Sequence, residues 1–280
     1  MEKSEKKALQ IQAAKIRKDI LTAVFSAKSG HPGGSLSAAD ILTYLYFKEM
    51  NVDPSNPKME DRDRLVLSKG HVTPALYSTL AEKGFFAVEE LKKFRQPGSF
   101  LQGHPDMKGV PGVDMSTGSL GLGISAACGM AIAAKKAGKK YHIYAIIGDG
   151  ESEEGQVWEA AMFAAHYKLD NLIVFLDCNG LQIDGSTNDV IGPMPFDKKF
   201  EAFNFNVITI DGHDFDQIEA AINKAKVSDN KPTVIIAKTI KGKGVSYMEN
   251  NVSWHGSAPN EEQYNIGITE LDAYLKELEG

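Results

Sequence analysis

Cysteine is nearly absent: Cys128 and Cys178 are the only two in 280 residues, too few for a disulfide framework or a multi-thiolate zinc site. Both sit in apolar surroundings and read as reduced core residues. Long apolar runs are missing as well. No stretch approaches the roughly 20 residues that a membrane helix requires, and the charged start, Met1 to Lys7, is followed by no apolar segment of the secretory kind. The expectation is a cytoplasmic protein with no membrane partner. A basic surplus is also lacking: 31 Lys and Arg stand against 37 Asp and Glu, a formal net charge of -6. The basic residues are scattered apart from Lys238, Lys241 and Lys243, which argues against a nucleic-acid partner. There is no repeat, low-complexity linker or shift in composition, so residues 1–280 are read as one domain.

What is present is an ordinary balance for a globular chain, 42% hydrophobic and 24% charged, enough to bury a large core. Helical stretches alternate with short β-branched runs, the pattern of an α/β fold with a mostly parallel sheet and helices on both faces. Strands are expected at Arg64 to Ser68, Ile143 to Ile147, Leu172 to Leu176, Asn206 to Ile210 and Thr233 to Ala237. Helices are expected at Glu5 to Ala27, Ser37 to Glu49, Thr73 to Lys83, Leu120 to Lys136, Glu154 to Tyr167, Phe215 to Lys226 and Ile268 to Leu278. His71, Asp149 and Asn179 each fall just after one of these strands, the edge at which open α/β sheets bind ligands.

The segment Gly148-Asp149-Gly150-Glu151-Ser152-Glu153-Glu154-Gly155 leaves an apolar strand, turns on two glycines and leads towards a helix. Such a turn lets backbone approach a bulky anion, and a helix start offers free N–H groups. The next strand ends in Asp177-Cys178-Asn179-Gly180-Leu181. A carboxylate from one strand end and an amide from its neighbour are hard oxygen ligands, suited to magnesium, with calcium or manganese as substitutes. On its own Gly-Asp-Gly is a common turn, and Glu151, Glu153 and Glu154 also suit the first turn of any helix.

The pair, strand-Gly-Asp-Gly followed by strand-Asn, resembles the thiamine-diphosphate-binding motif. Ser29-Gly30-His31-Pro32-Gly33-Gly34, Leu67-Ser68-Lys69-Gly70-His71, Gly103-His104-Pro105, Thr117-Gly118-Ser119-Leu120-Gly121-Leu122-Gly123, Val157-Trp158-Glu159-Ala160 and Ser253-Trp254-His255-Gly256 resemble transketolase segments in their usual order, over nearly the whole chain. The resemblance implies a thiamine-diphosphate-binding fold of the diphosphate-binding type. It implies a metal held by Asp149, the side chain of Asn179 and the carbonyl of Leu181. It implies a Gly150 N–H facing the diphosphate, with His71, Lys241 and His255 around the phosphates. Gly118, Ser119 and Leu120 would line the ring region and Ile183 would touch the thiazolium. His31, His104 and His255 would contact substrate and shuttle protons, as imidazole can near neutral pH. Glu154 matches an acid that tethers cofactor chemistry across subunits; an ordinary acidic helix residue is the other reading. His142, His166 and His213 lie outside these segments and read as structural.

The resemblance also implies something this chain does not carry. In full-length transketolases the glutamate that activates the cofactor's aminopyrimidine lies in a second, pyrimidine-binding domain, and this sequence stops at Gly280. The expectation is therefore an N-terminal subunit of a split transketolase, active only with a pyrimidine-binding C-terminal subunit, two copies of each. It would transfer a two-carbon ketol unit between sugar phosphates. The alternatives are a piece of a longer protein, a related thiamine-diphosphate enzyme with another sugar or carbonyl substrate, and a non-catalytic partner that binds the cofactor. A plain nucleotide-binding protein fits less well, because the glycine turn lacks both the dinucleotide fingerprint and a phosphate-loop lysine.

Overall fold

The computed structural model describes residues 1–228 and 230–280. Among them a five-stranded, wholly parallel sheet runs in the order β1 (Arg64–Leu67), β2 (Ile143–Gly148), β3 (Leu172–Cys178), β7 (Thr233–Lys238) and β6 (Asn206–Asp211). These are the five runs expected from the sequence. Side chains alternate across the pleat, so Ile143, Ala145 and Ile147 enter one core while Tyr144 and Ile146 enter the other. Both faces are apolar because helices cover both.

One face carries α1 (Lys3–Ala27), α2 (Pro32–Tyr44), α3 (Thr73–Lys83), α8 (Phe215–Lys226) and α9 (Glu261–Glu279). The other carries α4 (Leu122–Lys136), α5 (Gly155–His166) and α7 (Phe196–Ala202). Handedness dictates this division. Right-handed crossovers that step from β2 to β3 put α5 on one side, and the step in the opposite direction from β6 to β7 puts α8 on the other. The strand order therefore reverses between β3 and β7, which opens a crevice beyond their carboxyl ends. A small hairpin, β4 (Leu181–Gln182) with β5 (Gly185–Ser186), and a single turn α6 (Thr187–Val190) follow β3 at that edge.

Several helix boundaries depart from the sequence expectation. α2 starts at Pro32, five residues before Ser37, with proline in the first turn where its fixed φ suits a helix. It is buried at every position and continues as a π-helical turn, Leu45–Glu49. α4 starts at Leu122 after Gly121 in the left-handed region, φ 79°. α5 starts at Gly155, because a 3-10 turn, Gly150–Glu153, comes first. α9 starts at Glu261 under a capping box made by Asn260 and Gln263. It runs through Gly267, where a Cβ would stand 2.9 Å from Leu21 Cδ1 of α1. The helix α7, anchored by buried Phe196 and Phe200, was not expected from the sequence.

Candidate functional site at the carboxyl edge of the sheet

The crevice deepens into a cavity of about 300 Å3, lined among others by His31, His71, Asp149, Asn179, Lys241 and His255. Each element delivers its residue by a local rule. Gly148 is in register with Asp177 of β3, so Asp149 lies just past the strand edge. Its carboxylate spans two loops, accepting the Gly150 N–H at 2.9 Å and the Gly180 N–H at 2.6 Å. Gly180 turns in the left-handed region, φ 76°, and Asn179 Oδ1 accepts the Leu181 N–H at 3.2 Å, starting the β4–β5 hairpin. Lys241 follows β7 and is almost wholly buried; its Nζ donates to the Leu181 carbonyl at 3.0 Å and lies 2.9 Å from His255 Nδ1. His31 precedes α2, and Gly33 in the next turn is small for a reason: a Cβ there would stand 2.8 Å from the Trp254 carbonyl and 3.0 Å from Lys241 Cγ.

Three imidazoles form a triangle, with centroid separations of 5.0 Å for His31–His71, 5.3 Å for His71–His255 and 5.6 Å for His31–His255. Burial, followed by Arg95 and neighbouring cations, pushes His31 down to about 4. Burial and then the Lys241 ammonium push His255 down to about 3. His71 is held well below the usual range by burial and then Lys69. All three are thus neutral near pH 7 and able to donate and accept hydrogen bonds. Burial also lowers Lys241 to about 8. Asp149 moves the other way: burial, then the nearby Asp177 carboxylate, raise it to about 6. Backbone N–H groups are its hydrogen-bond partners, a setting that favours a cation beside the carboxylate.

Among the described residues no cluster of three His, Cys, Asp or Glu side chains could hold a metal. The strand ends instead offer one carboxylate, one amide and one backbone carbonyl within a single cavity. That set fits a divalent ion that takes its remaining ligands from a diphosphate and water, as magnesium commonly does. The buried Lys241 ammonium supplies further positive charge for the same anion.

Of the residues singled out from sequence, His31, His71, Gly118, Leu120, Asp149, Gly150, Asn179, Leu181, Ile183, Lys241 and His255 line this cavity. Ile183 stands at its mouth on the hairpin tip, 66% exposed. His104 lies outside the lining and packs against Gly118, whose Cβ would approach its ring to 3.3 Å. Ser119 lines a neighbouring groove with Met115 and Leu122. Glu154 is exposed, with its Cβ packed on Gly121.

Sequence reading passed over three groups. Lys69, buried, forms an ion pair with Asp177, which also accepts from Ser37 and Thr239 and stays ionised despite burial. Gln182 lines the cavity and donates to Glu153 at 2.7 Å. Glu151 is no solvated first-turn acid: it is buried and accepts from Gly121 N at 2.9 Å, Gly148 N at 3.0 Å and the Ser68 hydroxyl, stapling three loops.

This fold and site define a thiamine-diphosphate-binding protein of the transketolase kind. Residues 9–270 match the family described as "Transketolase, thiamine diphosphate binding domain", and the chain belongs to that family. It is 48% identical to the 6-deoxy-6-sulfo-D-fructose transketolase subunit of a Clostridium species, over 94% of this chain and 96% of that protein. It is 42% identical to an apulose-4-phosphate transketolase subunit of Phocaeicola vulgatus, over 97% of this chain and 96% of the relative. Among solved structures, transketolase from Campylobacter jejuni superposes with a TM-score of 0.89 at 39% identity, covering 94% of this chain. This chain spans 42% of the length of that enzyme.

Proposed function

We propose that this chain is the diphosphate-binding subunit of a split transketolase, transferring a two-carbon ketol unit from a ketose phosphate to an aldose phosphate once a pyrimidine-binding subunit joins it. The observation that carries the proposal is the convergence of Asp149, Asn179, the Leu181 carbonyl and Lys241 on a cavity walled by three neutral histidines. Two relatives matched over nearly their whole length are themselves named transketolase subunits, which supports division of the enzyme between chains.

In this reading Asp149, Asn179 and the Leu181 carbonyl hold Mg2+, with Ca2+ or Mn2+ as substitutes, and residues 1–280 act as one diphosphate-binding domain. Gly150 and Lys241 meet the diphosphate, with His71 and His255 beside it. Thiamine diphosphate, when bound, supplies the site that takes up negative charge during ketol transfer. The chain's own residues position it. Gly118, Ser119 and Leu120 line its ring region, and Ile183 gives apolar contact at the mouth. His31, His104 and His255, neutral at working pH, hold substrate hydroxyls and carry protons between them. Glu154, exposed beside Gly121, reaches the neighbouring subunit. Two copies of each chain complete the assembly, in the cytoplasm. Among the described residues no helix is long and apolar enough to cross a membrane.

Thermal-shift screening tests the cofactor directly. Thiamine diphosphate with Mg2+ is expected to stabilise the chain, and NAD or ATP with Mg2+ is not; the opposite ranking would overturn the proposal. The relatives' names point to different sugars, a sulfofructose and apulose 4-phosphate, so a product assay with several ketose donors separates a central from a specialised transketolase.

A further inference from the structure

Behind the cavity, on the far side of the Lys241 loop, lies a second polar assembly. Arg17 of α1 is buried and forks onto Asp40 of α2, with Nη1 to Oδ1 at 3.0 Å and Nη2 to Oδ2 at 2.6 Å. Asp40 Oδ2 lies 2.7 Å from His213 Nδ1, and His213 Nε2 accepts the Ile240 N–H at 2.9 Å. A backbone N–H can only donate, so Nε2 is the bare nitrogen and Nδ1–H donates to Asp40. The same Arg17 uses its Nε to donate to the Lys243 carbonyl at 3.1 Å. One buried unit therefore grips the loop at Ile240 and again at Lys243, and Lys241 lies between the two grips.

The loop itself is tight. Gly242 has φ 81° and donates to the Gly33 carbonyl at 2.9 Å, and a Cβ on it would stand 2.3 Å from the Met248 carbonyl oxygen. With both ends held and the middle pinned, the Lys241 side chain runs to the Leu181 carbonyl and His255. A buried lysine loses much rotamer freedom, and a preorganised frame makes that loss before any anion arrives.

We propose that His213, held by the Arg17–Asp40 pair, is a positioning residue that sets Lys241 in the diphosphate site. The proposal rests on the reading of Lys241 as a diphosphate contact. It assigns a role to a histidine that sequence reading left as structural, and it places a determinant of cofactor affinity outside the cavity lining.

Two substitutions separate positioning from general support. In His213→Gln the amide oxygen overlays Nε2 and keeps an acceptor for the Ile240 N–H. In His213→Asn the amide overlays Nδ1 and keeps only the Asp40 side. Thiamine diphosphate affinity is measured in the presence of Mg2+ and the pyrimidine-binding subunit, together with melting temperature, for both variants, for Lys241→Met, and for the double variant H213N/K241M. The expected result is a loss of about 10-fold or more for His213→Asn and for Lys241→Met, within the range for groups that orient a ligand-holding side chain. His213→Gln stays within about threefold of the parent, and the double variant is no weaker than Lys241→Met alone, because the two act through one contact. Parent-like affinity in His213→Asn beside a weak Lys241→Met would overturn the positioning role and leave the reading of Lys241 standing. Additive losses in the double variant, or losses in both His213 variants that follow melting temperature, would likewise overturn it. Parent-like affinity in Lys241→Met would overturn the reading of Lys241 itself, and the proposal with it.

Discussion

Asp149 reaches from the end of β2 to accept the Gly180 N–H at 2.6 Å, tying together the two loops that follow neighbouring strands. The bond keeps Asp149 and Asn179 on one side of the cavity before any ligand binds. The same carboxylate is buried and stands near the ionised Asp177, so its charge is costly in the folded chain.

The sign of that cost gives the first prediction. The folded pKa of Asp149 is raised from 3.8 to about 6, so the native state binds the proton more tightly than the unfolded state. The stabilisation is complete below the unfolded value and is lost as pH rises through about 6. Asp149→Asn removes the titrating charge while turning one of its two accepting oxygens into an NH2 that faces a backbone N–H. Without metal, its melting temperature is therefore expected to vary less with pH across about 6 than the parent's. Metal-dependent thiamine diphosphate affinity of the complex should fall by about 100-fold or more. Calorimetry showing unchanged affinity contradicts the metal assignment.

The histidine triangle has the opposite sign. His31 and His255 have folded values lowered to about 4 and about 3, and His71 lies well below the ordinary 6.5. Their neutral forms suit the folded state, so stability present above pH 6.5 is lost as pH falls towards 4, where the unfolded chain takes up protons first. Melting temperature should drop steeply across that window, and His255→Gln should flatten the drop. An equally steep profile in the variant contradicts the assignment.

Close packing beneath the site is tested by two glycines of one helix. A Cβ on Gly123 would stand 2.6 Å from Ser68 Cα, and Ser68 also donates to Glu151. Gly123→Ala should cost about 1–3 kcal/mol by pushing α4 from β1. Gly129, exposed on the same helix with nothing within 4 Å of a Cβ, should gain about 0.5–1 kcal/mol as alanine. Denaturant unfolding of both variants checks the contrast.

The five strands were legible because each is a local apolar run, and His71, Asp149 and Asn179 because they follow strand ends; the other cavity residues were named through the resemblance to transketolase segments. The start of α2 was hidden by Gly33 and Gly34, poor helix formers, and Gly33 answers a tertiary need, the approach of Lys241 and Trp254. Gly267 hid the first part of α9 in the same way, by letting it approach α1. Which of Glu151, Glu153 and Glu154 is buried depends on the 3-10 turn after Gly148 and on Gly121 from another loop. Local spacing does not encode that choice. The Lys69–Asp177 pair joins residues 108 positions apart, beyond the reach of any local pattern.

Glu154 carries a prediction of its own because it is exposed. Glu154→Gln should leave the melting temperature of the isolated chain nearly unchanged, since surface substitutions stay within about 0.5 kcal/mol. Turnover of the two-subunit enzyme should fall by about 10-fold or more, the cost of losing one charged hydrogen bond to the neighbouring subunit. Full turnover in the variant would leave Glu154 an ordinary acid at the start of α5.

The most direct measurement is a ketol-transfer assay on the purified chain with Mg2+ and thiamine diphosphate, with and without a separately produced pyrimidine-binding subunit. Turnover is expected only when both polypeptides are present. Full turnover by this chain alone would contradict the account.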